Sequence, residues 1–219
     1  MWGEPQLVIF DCDGVLVDSE VISNRVLADR LTGAGLPTTV AEARRDYQGL
    51  LLADVLANAQ AKLGRTLPEG WMTGYERDRA AAFRRELRPV AGASEAVQRI
   101  MAAGIAVCVA SQGKLEKTRL SLELTGLDGL FAESARFSAE SVSRGKPAPE
   151  LFLHAAEAMQ AEPANCVVVE DTPSGVTAAV SAGMRALGYV ADSDEPAMRG
   201  AGAEMMHSLA ELPGLLGLG

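Results

Sequence analysis

The chain has 219 residues, 48% of them hydrophobic, and its 20 Lys and Arg against 29 Asp and Glu give a net charge of −9. That length holds one domain, or one domain with a sizeable insertion, and the apolar content is enough to fill a real core. The acidic balance and the absence of any Lys/Arg-rich run argue against a nucleic-acid partner, so an anionic substrate would need locally placed positive charge.

In chain order, Leu7 to Phe10 is a short unbroken apolar run, as expected of a strand buried on both faces in a parallel sheet. It runs into Asp11-Cys12-Asp13-Gly14. From about Ser19 to Arg88 the pattern is helical throughout, with Val21, Ile22, Val26 and Leu31 on one stripe and Leu52, Val55, Leu56, Ala59 and Leu63 on another. Gly33, Gly35 and Pro37 break the first of these helices, Gly64 and Pro68-Glu69-Gly70 end a later one, and a last helix runs from Tyr75 to Leu87. Beyond Pro89 the rhythm changes. A helix bearing Ala93, Ala96, Val97, Ile100 and Met101 precedes a strand over 105–110, a helix over 115–124 and a short strand over 135–138. An amphipathic helix with Leu151, Phe152, Ala155, Ala156 and Met159 leads to a strand over 166–169, a helix over 174–182 and a strand over 186–190. Strands alternating with helices imply βαβ units and a parallel sheet, with all strand C-termini along one edge.

The three cysteines, Cys12, Cys108 and Cys166, lie far apart in apolar runs and read as buried free thiols, which suits a reducing cytoplasm. No segment approaches the ~20 apolar residues that a bilayer span requires, and Met1-Trp2-Gly3-Glu4-Pro5 lacks signal-peptide character. A cytoplasmic protein without a membrane partner is expected.

Four places on the C-terminal edge carry polar chemistry: Asp11 and Asp13; Ala110-Ser111-Gln112-Gly113; Arg144-Gly145-Lys146-Pro147-Ala148-Pro149-Glu150; and Glu170-Asp171-Thr172-Pro173-Ser174-Gly175. Each also has a structural reading. The first could be an acidic loop, Ser111 a helix cap, Lys146 a solvated loop charge, and Glu170-Asp171 acids favoured before a helix N-terminus. Together they supply what phosphoryl transfer needs: an acid as nucleophile, acids for magnesium, and a hydroxyl and a lysine for phosphoryl oxygens.

Taken in order, these motifs resemble those of the haloacid dehalogenase superfamily, in the branch of β-phosphoglucomutases and small sugar-phosphate phosphatases. The resemblance covers nearly the whole chain. It implies a Rossmann-like α/β core, a parallel sheet flanked by helices, over 1–18 and 89–219, with an inserted α-helical cap over 19–88. It further implies Asp11 as the nucleophile that becomes an aspartyl-phosphate. Asp13 would be the acid and base on the leaving oxygen and the water, and its carbonyl would face Mg²⁺. Ser111 and Lys146 would hold the phosphoryl group, with Gln112 and Lys114 beside them. Asp171 would ligate magnesium, and Glu170 would ligate it or stand behind the ligands. Hinges near 17–19 and 87–91 would let the cap close and exclude water.

The second acid, Asp13, favours phosphate esters over carbon–halogen bonds, since a halide needs no proton on leaving. A phosphomutase of this branch carries a cap arginine where this chain has Leu50-Leu51-Leu52, and a histidine where it has Ser23. A hydrolase acting on a small phosphorylated metabolite is therefore expected, and a monomer is favoured. A phosphomutase and a non-catalytic phosphate-ligand domain stand as the alternatives. Glu20, Asn24, Arg45, Tyr47 and Gln48 are the candidates to face the leaving group.

Overall fold

The computed structural model describes residues 5–47, 50–190 and 194–218. The chain divides into two compact units, Met1–Val17 with Pro89–Gly219, and Asp18–Arg88. Gln48, one of the expected leaving-group residues, lies outside the described residues, as does Gly49.

Helices α1 (Glu20–Gly33), α2 (Val40–Tyr47), α3 (Leu52–Leu63) and α4 (Trp71–Glu86) make the second unit, which contains no strand among its described residues. The first unit carries α5 (Ala93–Ala102), α6 (Leu115–Thr125), α7 (Glu150–Ala158), α8 (Pro173–Ser181), α9 (Glu195–Gly200) and α10 (Leu212–Leu215). Its strands are β1 (Leu7–Phe10), β2 (Ala106–Ser111), β3 (Arg136–Ser138), β4 (Cys166–Glu170), β5 (Arg185–Tyr189) and β6 (Glu204–Met206). They form one parallel sheet in the order β3-β2-β1-β4-β5-β6, flanked by helices in a Rossmann-like arrangement.

All four side chains of β1 are buried, as a strand covered on both faces demands, which explains its unbroken apolar run. Under one face, Leu7 and Ile9 pack with Leu151, Phe152, Ala155, Val168, Val176 and Ala179. The register sets the site. Phe10 is level with Val109 of β2 and Val169 of β4, so Asp11, Ala110 and Glu170 reach the sheet edge together. All three cysteines are buried and free.

In the second unit, the stripe on α1 is rotated from the one expected: Val21 is 57% exposed, whereas Asn24 is buried beside Ile22, Val26, Leu27 and Leu31. The Arg30 guanidinium ties α1 to α4, donating to Trp71 O at 3.0 Å and lying 5.7 Å from the Trp71 ring centroid. On α5, Met101 is exposed at the end of an otherwise buried stripe. Among the described residues, no helix is long and apolar enough to cross a membrane.

Candidate active site

Beyond β1 the chain still follows the sheet for one residue, because the Asp11 N–H donates to Val169 O at 2.9 Å. It then turns back, with Leu16 and Val17 N–H both donating to Cys12 O and Gly14 at φ +77°. The turn holds Asp11 deep and Asp13 shallower: the Asp11 side chain is 8% exposed and that of Asp13 26%. Gly14 is required here for a second reason. A Cβ on it would overlap the Asp171 carboxylate, so the end of β4 lies against the Asp13-Gly14 backbone.

Lys146 is the hub of the site. Its ammonium contacts Asp11, donates to Glu170 Oε1 at 2.5 Å and to Ala110 O at 3.1 Å, and lies 4.9 Å from the Phe152 ring centroid. Burial disfavours its charge, but Asp11 and Glu170 outweigh that and hold its pKa above the ordinary value. The Asp11 carboxyl goes the other way. Burial pushes it up to about 7; Lys146 opposes the rise, while Glu170 and Asp13 add to it. Burial also raises the Cys12 thiol well above its usual value, so Cys12 stays protonated and is no nucleophile.

Ser111 is fully buried at the end of β2, and its Oγ accepts from Gly113 N–H at 3.1 Å, which folds the loop rather than capping α6. The Gln112 carboxamide faces the Lys146 peptide. Its Oε1 accepts from Lys146 N–H at 2.9 Å and its Nε2 donates to Lys146 O at 3.5 Å, clasping that peptide from both sides. A Cβ on Gly145 would stand 2.7 Å from both Nε2 and Oε1, so the clasp requires a residue without a side chain there.

Glu170 ties Lys146 to the loop after β4. One oxygen takes Lys146; the other accepts from Asp171 N–H and Thr172 N–H at 3.0 Å and from the Thr172 hydroxyl at 2.9 Å. Thr172 in turn caps α8 by accepting from Gly175 N–H at 3.1 Å. Glu170 therefore orients the lysine and the loop, while Asp171 reaches Gly14. Lys114 is exposed at the head of α6. Lys117, one turn further on, meets Asp13 with 9% of its side chain exposed. Sequence reasoning passed over Lys117 and Thr172. The available signals were the cap-forming Thr before Pro173 and the lean of a first-turn side chain back over its helix N-terminus.

These groups can act on a phosphate ester. Asp11, Asp13, Glu170 and Asp171 bring four carboxyl groups against the ammonium groups of Lys117 and Lys146, a net excess of negative charge that the raised Asp11 carboxyl lessens at neutral pH. No group of three or more His, Cys, Asp or Glu side chains is arranged to close on a metal among the described residues. Magnesium needs no such cage: it takes one or two carboxylates, keeps waters and accepts substrate oxygens. Hard carboxylates with that excess of charge fit a dication.

A profile of the haloacid dehalogenase-like hydrolases matches residues 5–183, spanning all four motifs. The chain belongs to that family. As a haloacid dehalogenase-like hydrolase it is 31% identical over 188 residues to the 6-phosphogluconate phosphatase of Escherichia coli (strain K12), covering 85% of this chain and 83% of that protein. It is 30% identical to hexitol phosphatase A of the same organism, over 93% of this chain and 91% of that one. Among solved structures, a haloacid dehalogenase family hydrolase from Deinococcus radiodurans R1 with bound phosphate and sodium superposes with a TM-score of 0.80 at 30% identity, covering 98% of this chain and 97% of that one. A candidate β-phosphoglucomutase from Thermotoga maritima superposes with a TM-score of 0.78 at 27% identity, covering 97% and 98%.

The expected leaving-group residues belong to the second unit. Glu20 opens α1 and Asn24 is buried on it. Arg45 pairs with Asp46 at 2.7 Å, and the buried Tyr47 ring lies 5.0 Å from the Lys62 ammonium, so both have local partners.

Proposed function

We propose that this hydrolase is a magnesium-dependent phosphatase that cleaves a small phosphate monoester, a sugar phosphate or a phosphorylated sugar acid, through an aspartyl-phosphate on Asp11. The observation that carries the reading is the setting of Asp11: a buried carboxylate at the end of the central strand, in contact with an equally buried lysine. A carboxylate approaching a phosphate dianion meets repulsion of roughly 4 kcal/mol per charge pair at ~4 Å and an effective dielectric of ~20. Lys146, held by Gln112 and Glu170, offsets part of this at the attacking atom.

Asp11 attacks phosphorus as the ester oxygen departs with a proton from Asp13. Asp13 then takes a proton from the water that attacks the aspartyl-phosphate, which returns free Asp11 and releases phosphate. Ser111 and Lys146 hold the phosphoryl oxygens. Magnesium would be held by Asp11, the Asp13 carbonyl and Asp171, and when bound it supplies positive charge to those oxygens. Positioning and charge stabilisation are most of what phosphoryl transfer asks of a protein.

The 19–88 segment serves, in this reading, as the helical cap that selects the leaving group, with Glu20 and Asn24 as its first candidates. Three buried free thiols suit a cytoplasmic enzyme. The relatives that hydrolyse 6-phosphogluconate and hexitol phosphates favour an ester of that size. The structural likeness to a candidate phosphomutase keeps a second reading open, against which Ser23 and Leu50-Leu51-Leu52 offer little to grip a second phosphate.

The test is phosphate release from 6-phosphogluconate, hexitol phosphates and other sugar phosphates, with and without Mg²⁺. Magnesium-dependent release that Asp11→Asn abolishes supports the phosphatase. Conversion of β-glucose 1-phosphate to glucose 6-phosphate without release would replace it with the mutase.

A further inference from the structure

Two lysines of this site reach its carboxylates from different loops. Lys146 serves Asp11 and Glu170 from the loop before α7, whereas Lys117 comes from α6 and serves Asp13. The second pairing is built rather than incidental. Lys117 is the third residue of α6, and the head of that helix is pinned twice: Leu115 N–H donates to Glu140 Oε2 at 3.0 Å, and Ser138 Oγ donates to Gly113 O at 2.7 Å. The Lys117 stem crosses Gly113. A methyl group there would stand 3.3 Å from Lys117 Cδ, 3.5 Å from Ser111 Oγ and 3.7 Å from Lys117 Nζ. The ammonium therefore emerges beside Ser111 and reaches across to the Asp13 carboxylate, with only 9% of its side chain exposed. A long flexible side chain loses much rotamer freedom when it is buried this way, and a surface ion pair would gain little in return.

We propose that Lys117 is the positioning residue for Asp13: it holds the acid–base carboxyl on the Ser111 side of the site, where the departing ester oxygen and the attacking water must pass. This rests on the reading of Asp13 as acid and base. In the first half-reaction the P–O(ester) bond breaks, the P–O(Asp11) bond forms and the Asp13 proton goes to the ester oxygen. In the second, water adds to phosphorus, its proton goes to Asp13, and the P–O(Asp11) bond breaks. Lys117 keeps its proton throughout and touches neither reacting atom; it sets where the Asp13 oxygen stands.

Leaving groups of different basicity test this. An alkyl oxygen needs a proton as it leaves, whereas 4-nitrophenolate departs without one. The Mg²⁺-loaded enzyme is compared with Lys117→Met on 4-nitrophenyl phosphate and on the alkyl phosphate it hydrolyses fastest. General acid catalysis contributes about 10²–10⁴-fold, so kcat/KM, which ends at the first phosphoryl transfer, is expected to fall at least about tenfold further for the alkyl ester than for the aryl ester. The kcat for both falls, because both share the hydrolytic half-reaction. Lys117→Arg, which keeps a cation at the same reach, restores part of the alkyl activity. Lys117→Gln repeats the measurement in a variant with a polar tip, should the methionine variant fold poorly.

Equal losses of kcat/KM on the two esters in both Lys117→Met and Lys117→Gln, while Asp13→Asn still discriminates between them, overturn the role of Lys117 and leave Asp13 as assigned. Equal losses in Asp13→Asn itself overturn the assignment of Asp13, and the proposal falls with it. A lowered melting temperature with the ester ratio unchanged marks Lys117 as structural and also overturns the proposal.

Discussion

Asp11→Asn should stabilise the metal-free protein at alkaline pH while removing its activity. Asn has the shape of the protonated acid and none of its charge, and Lys146 keeps Glu170 as a partner in the variant. The Asp11 carboxyl rises from its ordinary 3.8 to about 7 on folding, chiefly through burial. A carboxyl whose folded value lies above its unfolded one contributes stability that is complete below the unfolded value and lost as pH climbs through the folded one. At about 1.4 kcal/mol per pH unit the whole loss is about 4 kcal/mol, an upper bound because water entering the site lessens the burial penalty. Between pH 5 and pH 8 the lead of Asp11→Asn over wild type should widen by about 2–3 kcal/mol on the same arithmetic. Urea unfolding of both proteins in EDTA at the two pH values reads this directly. A lead that stays constant with pH, or shrinks, would show that the buried charge of Asp11 is not what strains the metal-free fold.

Magnesium should reverse that strain. At a concentration of ~100 Kd it should raise wild-type stability by about 2.7 kcal/mol, seen as a higher melting temperature at pH 8, and it should raise Asp11→Asn far less; equal shifts would place the cation elsewhere. Gln112→Leu and Gly145→Ala break the same clasp on the Lys146 peptide. Each should lower kcat with little change in the ranking of esters, and the double variant should be no worse than the poorer single one. Fully additive losses in that cycle would mean that the two residues act separately. Thr172→Val removes both the α8 cap and a hydrogen bond to Glu170, and should cost about 1–2 kcal/mol in chemical unfolding; a change below a few tenths would show that the cap is idle.

What the sequence revealed depended on how strongly burial shaped each segment. Strands β1, β2 and β4 are covered on both faces, so their apolar runs were plain, and the acids after them marked the sheet edge. Strand β6 is three residues long at the sheet margin, with Glu204 exposed, and neither its length nor its alternation stands out from a loop. On α1 the exposed Val21 and buried Asn24 reverse the usual preference, and no periodicity rule recovers that. Within the site, the positions of Asp11, Asp13, Ser111, Lys146 and Asp171 at one sheet edge were readable from the order of strands and motifs. What they do to one another was not. That Gln112 folds onto Lys146 is not legible in the sequence, because the contact depends on how two distant loops meet. The hydrogen bonds of Glu170 to Lys146 and Thr172 depend on the same long-range packing, so the sequence does not show them either. Lys117 belongs to no motif, and only the point at which α6 begins places it in the first turn, leaning back towards Ser111.

In the proposed reaction the phosphoryl group rests on Asp11 between the two half-reactions. Mixing the Mg²⁺-loaded enzyme with its best substrate, quenching in acid within the first turnover and mapping peptides by mass should find one phosphoryl group on the peptide containing Asp11, absent in Asp11→Asn. Phosphate released at full rate with that peptide unmodified at every quench time, or formed by Asp11→Asn, would contradict it.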